Sequence, residues 1–371
     1  MKKISQMAQI AVFLVLIALV PVLYLVTPDK QMSESENRTL AQLPAFSLQS
    51  LLSGQYTSEF ETYLTDQMPF RDEWIALRSY IEALLLKTES NGVYIGSEQT
   101  LIARFDQPDA ARVQRNTAAL QKLVEKAGVP VYLSLIPGAV QVWQHRLPAN
   151  APNADQAALI EQIAAQTQAV KVDILGALNA HRNEDIYYRT DHHWTTLGAY
   201  YGYTALAKAM GLSASPLSSF TAQTVSQEFY GTVYSKAGVR WIKPDSMQIM
   251  VQAPDAEVLW YDGAAETKGS LYVDSFLGKK DKYSYFLGGN RGRIVVKSGN
   301  EGQKLLLLRD SYSDSELPFL LEHFSEIHLL DPRYYSDSVL DYIEQQGIDA
   351  VVVNMSVDTF TSERRVALIG Q

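Results

Sequence analysis

The sequence contains no cysteine, which excludes disulfides, thiolate metal sites and cysteine nucleophiles together. It also lacks any block of basic residues. Its 32 lysines and arginines are interspersed among 41 acidic residues, and the formal net charge is -9. Nucleic-acid surfaces need clustered Lys and Arg, so a nucleic-acid partner is not expected. There is no internal repeat and no low-complexity tract. Beyond the first thirty residues no apolar run is long enough to span a bilayer. What is present is ordinary for a globular protein: 371 residues, 47% hydrophobic and 20% charged, enough for one large domain or two with a sizeable core. Such a core lets an exported protein fold without disulfides, so the missing cysteines do not oppose export. Tyrosine is abundant at 21 residues, a residue that suits carbohydrate clefts as well as surfaces.

Lys2 and Lys3 precede an uncharged apolar run from Met7 to Val26. The run has the length of a spanning helix, and the lysines predict that the body lies outside the cytoplasmic membrane. Two readings follow for residues 1–30: a signal anchor, or a signal peptide that is cleaved to leave a secreted body. The run exceeds a typical signal h-region, which favours the anchor. Residues 31–45 are polar and read as a juxtamembrane linker.

The body, 46–371, alternates helical and extended patterns. Apolar residues recur three and four apart through 46–90, with a break at Pro69. Residues 91–106 read as a hairpin and 109–127 as an amphipathic helix ending at Gly128. VPVYLSLIP, 129–137, is a continuous apolar, β-branched run, the pattern of a strand buried on both faces of a parallel sheet. A helix over 154–170, a short strand over 185–190 and a helix over 196–210 follow. Residues 213–300 are richer in turns and short strands and read as a β-rich insertion. KLLLLRDS, EIHLLD and IDAVVVN then supply three more buried strands, separated by helices over 314–323 and 336–346. The expected class is α/β, with a mostly parallel sheet and helices on both faces.

Two segments carry chemistry. In YYRTDHHWTTLGAY, residues 187–200, Asp191, His192, His193 and Trp194 stand together between an expected strand and an expected helix. Ligands of open parallel sheets bind in loops outside the carboxyl ends of strands. In KLLLLRDSYSD, 304–314, a buried strand ends in Arg309-Asp310-Ser311. A serine at that place can expose its hydroxyl at the rim of the sheet while its own N–H faces a developing oxyanion. Serine is a weak nucleophile at neutral pH and needs a base. A histidine supplies one, and a carboxylate orients the histidine. Asp191 and His193, two apart in a turn, can serve one cleft.

At these residues the chain resembles the DHHW family of exported bacterial proteins, and TDHHWT is similar to the Asp-Thr-His-Trp segment of alginate O-acetyltransferases. The resemblance extends to ENRTLAQLP, DQMPFRD, NGVYIG, FYGTVYSKAG and the stretch from LLLLRDSYSD to DPRYY. It implies an SGNH-hydrolase-like fold with Ser311 as nucleophile, His193 as base and Asp191 as its orienter. It further implies O-acetyltransferase or acetylesterase chemistry on an exported polysaccharide or cell-wall glycan, with no diffusible cofactor. A membrane-bound O-acyltransferase is implied as the partner that donates the acyl group. Arg309 stands where the hydrolase pattern has glycine. For the remaining oxyanion or substrate contacts the candidates are Gly289 and Asn290, Asn354, His192, Trp194, Arg309 and Tyr312.

Other readings of the same residues stay open. Asp191-His192-His193 is a plausible metal-ligand set, which would make the protein a metal-dependent hydrolase. The DHHW turn and Ser311 can each serve only as helix caps. The protein would then be a non-catalytic, membrane-anchored envelope protein that binds glycan or holds an assembly.

Overall fold

The computed structural model describes residues 2–33, 38–251 and 256–371. Four residues of the expected linker, 34–37, and residues 252–255 of the expected β-rich segment lie outside the described residues. The chain divides into two compact units, residues 1–87 with 238–240, and residues 88–237 with 241–371.

The first unit is helical. Lys2–Val26 form one helix, although the side chains of residues 2–6, 8, 9, 11, 12 and 16, where part of the expected anchor falls, are outside the described residues. Among the described residues no helix is long and apolar enough to cross a membrane. Helices Leu48–Leu52, Gln55–Asp66 and Arg71–Leu84 follow. The pattern predicts one break, at Pro69; a second occurs at Gly54, whose φ of 77° lies in the left-handed region. These helices bury only Asp66 and Ser79 and leave Trp74, Ile81 and Leu84 exposed. They give no apolar residue to the main core, which begins at Tyr94, so 46–87 groups with the N-terminal residues rather than with the body.

The second unit is built on an eight-stranded mixed sheet. Its strands, in chain order, are β1 (Val131–Ile136), β2 (Val170–Lys171), β3 (Glu257–Asp262), β4 (Ala265–Lys268), β5 (Arg293–Lys297), β6 (Lys304–Arg309), β7 (Glu326–Leu330) and β8 (Ala350–Ser356). The spatial order is β4-β3-β5-β7-β6-β8-β1-β2. The pairs from β7 to β2 are parallel, and β4, β3 and β5 form an antiparallel edge. Every residue of β8 and all but the first of β6 are buried, so both faces of the sheet are covered there. Leu305 to Leu308 each have no exposed surface, and burial of each stabilises by about 1.5–3 kcal/mol.

Helices of this unit include α1 (Ala110–Lys126), α2 (Gln156–Ala165), α3 (Thr196–Met210), α4 (Thr232–Ala237), α5 (Ser313–Leu320) and α6 (Val339–Gln346). Side-chain caps start most of them: Asp109 accepts from the Arg112 N–H at 2.7 Å and Thr195 from the Gly198 N–H at 3.2 Å. Helices α3 and α5 pack together, which brings the two candidate segments side by side.

Two expectations are corrected here. Residues 213–300 are not one insertion: β3, β4 and β5 complete the main sheet, while Gln223–Phe229 and Asp245–Ile249 pair as a separate ribbon. Residues 185–190 are not a sheet strand. The chain folds back on itself, with one bridge between Tyr187 and Trp194, and Tyr188 N–H and Thr195 N–H donate to His193 C=O and Ile186 C=O at 3.2 and 3.0 Å. Local closure of this loop satisfies the backbone groups that a ladder would otherwise take.

Candidate active site

Strand β6 ends at Arg309, and the following turn is held by the Asp310 carboxylate. It accepts the Tyr312 N–H at 3.1 Å, the Ser356 N–H at 2.9 Å and the Ser356 hydroxyl at 2.7 Å. Leu308 pairs with Leu330 of β7 and with Val353 of β8. Three residues beyond these partners stand Ser311, Arg333 and Ser356, side by side at the carboxyl ends of three parallel strands. Ser311 is partly exposed there.

The DHHW loop meets this turn. His193 Nε2 lies 2.8 Å from Ser311 Oγ, and His193 Nδ1 lies 2.5 Å from Asp191 Oδ1. An ionised carboxylate only accepts, so Nδ1 carries the proton and Nε2 presents its lone pair to the Ser311 O–H. Asp191 Oδ1 also accepts the His193 N–H at 3.0 Å, while Oδ2 accepts the N–H and hydroxyl of Thr232 at 2.7 and 2.9 Å. Asp245 anchors the chain just upstream through the N–H groups of Arg189 and Thr190, at 3.0 and 2.9 Å. Gly231 lets α4 approach: a Cβ there would lie 2.2 Å from Asp191 Cβ.

Rings enclose the histidine. Tyr283 stacks flat on His193 with centroids 3.6 Å apart, and its hydroxyl donates to Ser315 Oγ at 3.0 Å. Trp194 is fully buried and donates from Nε1 to Tyr312 C=O at 2.9 Å, so it is a packing residue and not an open sugar platform. The Tyr312 hydroxyl donates to His192 C=O. The His192 ring donates from Nδ1 to Thr232 Oγ1 at 2.7 Å.

Burial by itself would push the Asp191 carboxyl up. The imidazoles of His192 and His193, the hydrogen bond from His193 and the Thr232 N–H outweigh it and hold the carboxyl well below the usual carboxylate range. The His192 side chain lines the cleft and is 41% exposed. Burial and the adjacent His193 push its pKa down to about 4, so it is neutral at neutral pH. Asp191, His192 and His193 are close enough to share a metal ion. In this arrangement, however, both Asp191 oxygens and both His193 nitrogens are already engaged in hydrogen bonds.

Ser311, His192, Tyr312 and Arg333 line a cavity of about 300 Å³, with Gln156 on its wall. Gln156 is buried. Its Oε1 accepts the Gly138 N–H at 2.8 Å, which orients the rest of the amide.

The remaining candidates fall elsewhere. Gly289 and Asn290 do not line this cavity; Asn290 lines a neighbouring one with Tyr261 and Tyr334. Asn354 is fully buried beneath the turn. Its amide is spent on Ser134 (2.6 Å), Ser313 (2.9 Å) and Glu316 (2.6 Å), because it projects from β8 into the packed helix α5 and not past the strand end. Arg309 is also fully buried, 2.7 Å from Asp314, and is not among the cavity residues. Its larger side chain therefore takes no space from a substrate. Sequence reasoning misses Thr232, Tyr283, Gln156 and Arg333. For Thr232 and Arg333 the FYGTVYSKAG and DPRYY segments were the available signals, while Tyr283 and Gln156 carry no local signal.

Asp191, His193 and Ser311 form a hydrogen-bond chain at the rim of a mixed α/β sheet, a geometry like that of serine hydrolases. The chain belongs to the DHHW protein family, whose model matches residues 110–330. It is similar to a probable alginate O-acetylase, AlgJ, of Pseudomonas syringae pv. tomato, at 25% identity over 61% of this chain and 62% of that protein. AlgJ of Pseudomonas aeruginosa is 26% identical over 43% and 44% of the two chains. The chain thus spans less than two thirds of the curated relatives it matches. Among solved structures, a DHHW family protein from Eubacterium siraeum superposes with a TM-score of 0.66 at 26% identity, covering 76% of this chain and 95% of that one. Bacillus cereus PatB1 shares the fold, with a TM-score of 0.58 at 17% identity over 72% and 97% of the two chains.

Proposed function

We propose that this protein transfers an acyl group, acetyl foremost, on a hydroxyl of an exported or cell-envelope polysaccharide, with hydrolysis as the same chemistry when water is the acceptor. Ser311 Oγ attacks the acyl carbon of the donor while His193 Nε2 takes its proton. The carbonyl electrons move to oxygen. When they return, the donor oxygen leaves with the proton from His193, and the acyl group remains on Ser311. The acceptor hydroxyl then attacks this ester, again losing its proton to His193. Asp191 stabilises the imidazolium formed in each half.

The observation that carries the reading is the continuous chain Asp191 Oδ1–His193–Ser311 Oγ, with contacts of 2.5 and 2.8 Å. The names of the AlgJ relatives support the substrate class. Arg309 is buried away from the cleft and takes no space from an acyl group, which supports the catalytic reading over the non-catalytic one. The reading includes a body outside the cytoplasmic membrane, tethered by the N-terminal helix, and a membrane-bound O-acyltransferase as acyl donor.

The test is turnover of p-nitrophenyl acetate by the wild type, Ser311→Ala and His193→Ala. Turnover by the wild type alone, with both variants folded, is the expected result. Undiminished turnover by Ser311→Ala would exclude the serine, and loss on treatment with a chelator would point to the metal instead.

A further inference from the structure

The site as described has a nucleophile, a base and an orienting acid, but an acyl-transfer centre also has to hold the negative charge that develops on the carbonyl oxygen. In a water-excluded site this stabilisation is often the largest single contribution to rate. Among the described residues, no group accepts from the Ser311 N–H, so one donor stands free beside the nucleophile. A second donor is needed, and neither Asn354 nor the Gly289-Asn290 pair reaches the cavity.

Arg333 occupies the matching place. It follows β7 as Ser311 follows β6, three residues past the paired Leu330 and Leu308. Its guanidinium is fixed. The fully buried Asp331 carboxylate accepts the Arg333 N–H at 3.0 Å, Nε at 2.9 Å and Nη2 at 2.6 Å. Nη2 also donates to Asn290 at 3.3 Å. Nη1 has no partner among the described residues, and Arg333 lines the cavity that contains Ser311. The guanidinium lies near enough to His192 and Asp310 to act on both electrostatically. A planar cation clamped by a buried acid, in the same cavity as the nucleophile and with Nη1 unpaired among the described residues, is a preorganised donor that need not reorient as charge develops.

We infer that Arg333 is a catalytic residue that, with the Ser311 N–H, receives the oxyanion of the tetrahedral intermediate. The inference rests on the serine acyl-transfer reading above. In the step concerned, the Ser311 Oγ–carbon bond forms, the Ser311 proton passes to His193 Nε2, and the carbonyl π pair becomes a lone pair on the oxygen facing Arg333 Nη1. That pair returns when the alcohol oxygen departs with the proton.

The experiment measures kcat and KM with p-nitrophenyl acetate for the wild type, Arg333→Ala and Arg333→Lys, together with the rate at which a fluorophosphonate labels Ser311, read by mass spectrometry. Phosphonylation also drives negative charge onto an oxygen, so it reports the same donors. Arg333→Ala is expected to lose about 100- to 1000-fold in kcat with little change in KM, and to label correspondingly slowly. Arg333→Lys retains charge without the planar fork and falls between. Added guanidinium should restore part of the Arg333→Ala rate, which a merely structural role would not do. Because the ester is neutral, an arginine that only recognised an acidic substrate would leave kcat intact. Activity of Arg333→Ala within about threefold of the wild type, or a loss confined to KM, overturns the inference while leaving the triad standing. If the variant unfolds, the Arg333→Lys rates decide: unchanged kcat and labelling overturn it. A wild type that neither turns over the ester nor is labelled removes the parent reading, and this one with it.

Discussion

The imidazole of His193 lies flat against the phenol ring of Tyr283, with centroids 3.6 Å apart and planes 5° apart. Asp191 and Ser311 fix the two edges of the imidazole, and Tyr283 fixes its plane. Tyr283 is itself tied through Ser315 to α5, the helix that begins just after Ser311. His193 and Ser311 thus share a support. Tyr283→Phe keeps the face and loses only the hydroxyl, so its ester turnover should stay within a few-fold of the wild type. Tyr283→Leu loses the flat surface, and the freed imidazole should cost up to about 100-fold in kcat. Equal rates for the two variants would show that the stacking does not position the base.

Asp191 keeps its charge because Thr232 and two imidazoles favour it against burial. Asp191→Asn would present an amide to His193 and favour the wrong tautomer. The expected loss is about ten-thousand-fold in kcat, smaller than that of Ser311→Ala because serine and histidine take part in bond making directly. Thr232→Val removes the hydroxyl but keeps the backbone donor, so a smaller loss is expected. Asp191 adds stability that is present above its unfolded pKa, about 4, and lost as pH falls below it. Steady-state rates on p-nitrophenyl acetate check the first two outcomes. An Asp191→Asn variant with wild-type turnover would mean that the carboxylate does not orient the base.

Much of this arrangement can be read from the residues alone, and the rest cannot, for identifiable reasons. Strands β1, β6 and β8 announce themselves as continuous apolar runs, because both of their faces are buried. Helix α3 matches its expected span, 196–210, since the Thr195 cap and Gly211 mark its ends. Asp191, His193 and Ser311 stand out because their chemistry is specific to those residue types. Tyr283 does not, since a tyrosine far along the chain carries no local sign of what it will touch, and FYGTVYSKAG marks Thr232 without showing that it meets Asp191. Arg333 requires the register between β6 and β7, which periodicity does not supply. Asn354 misleads: it ends the apolar run IDAVVVN, but β8 continues to Ser356, and the face on which Asn354 projects is the packed one. The β3-β4-β5 edge reads as an insertion because antiparallel edge strands alternate like any hairpin, whichever sheet they join.

Arg309 and Asp314 form a fully buried ion pair at 2.7 Å. No hydrogen bond to the Arg309 guanidinium nitrogens is found among the described residues, so the contact is ionic and not an aligned fork. Arginine cannot shed its charge, whereas burial raises the Asp314 carboxyl to about 7 despite Arg309, so the acid can take a proton. The two halves should therefore be unequal. Asp314→Asn strands a buried cation and should destabilise by about 3–5 kcal/mol. Arg309→Met leaves an acid that can neutralise itself, and should cost less below pH 7 than above it. Urea unfolding of both variants at pH 6 and pH 8 checks this; equal costs at both pH values would contradict the asymmetry.

Glu316, on the same helix, gives the clearest dependence on pH. Burial raises its carboxyl to about 8, against the lowering effect of the hydrogen bond from Asn354. Its other oxygen, Oε1, has no hydrogen-bond partner among the described residues. An unfolded glutamate titrates near 4.3. Between about 4.3 and 8, therefore, the folded protein holds a proton that the unfolded chain has released, and raising the pH favours unfolding. This single group should remove stability at up to about 1.4 kcal/mol per pH unit across that window, with no further loss above it. Asp314 acts in the same direction up to about 7. Glu316→Gln keeps an acceptor for Asn354 and cannot ionise. The difference in stability between this variant and the wild type should then grow steadily from pH 5 to pH 8 in favour of the variant. Parallel stability profiles for the two proteins over that range would show that Glu316 is already ionised in the folded state.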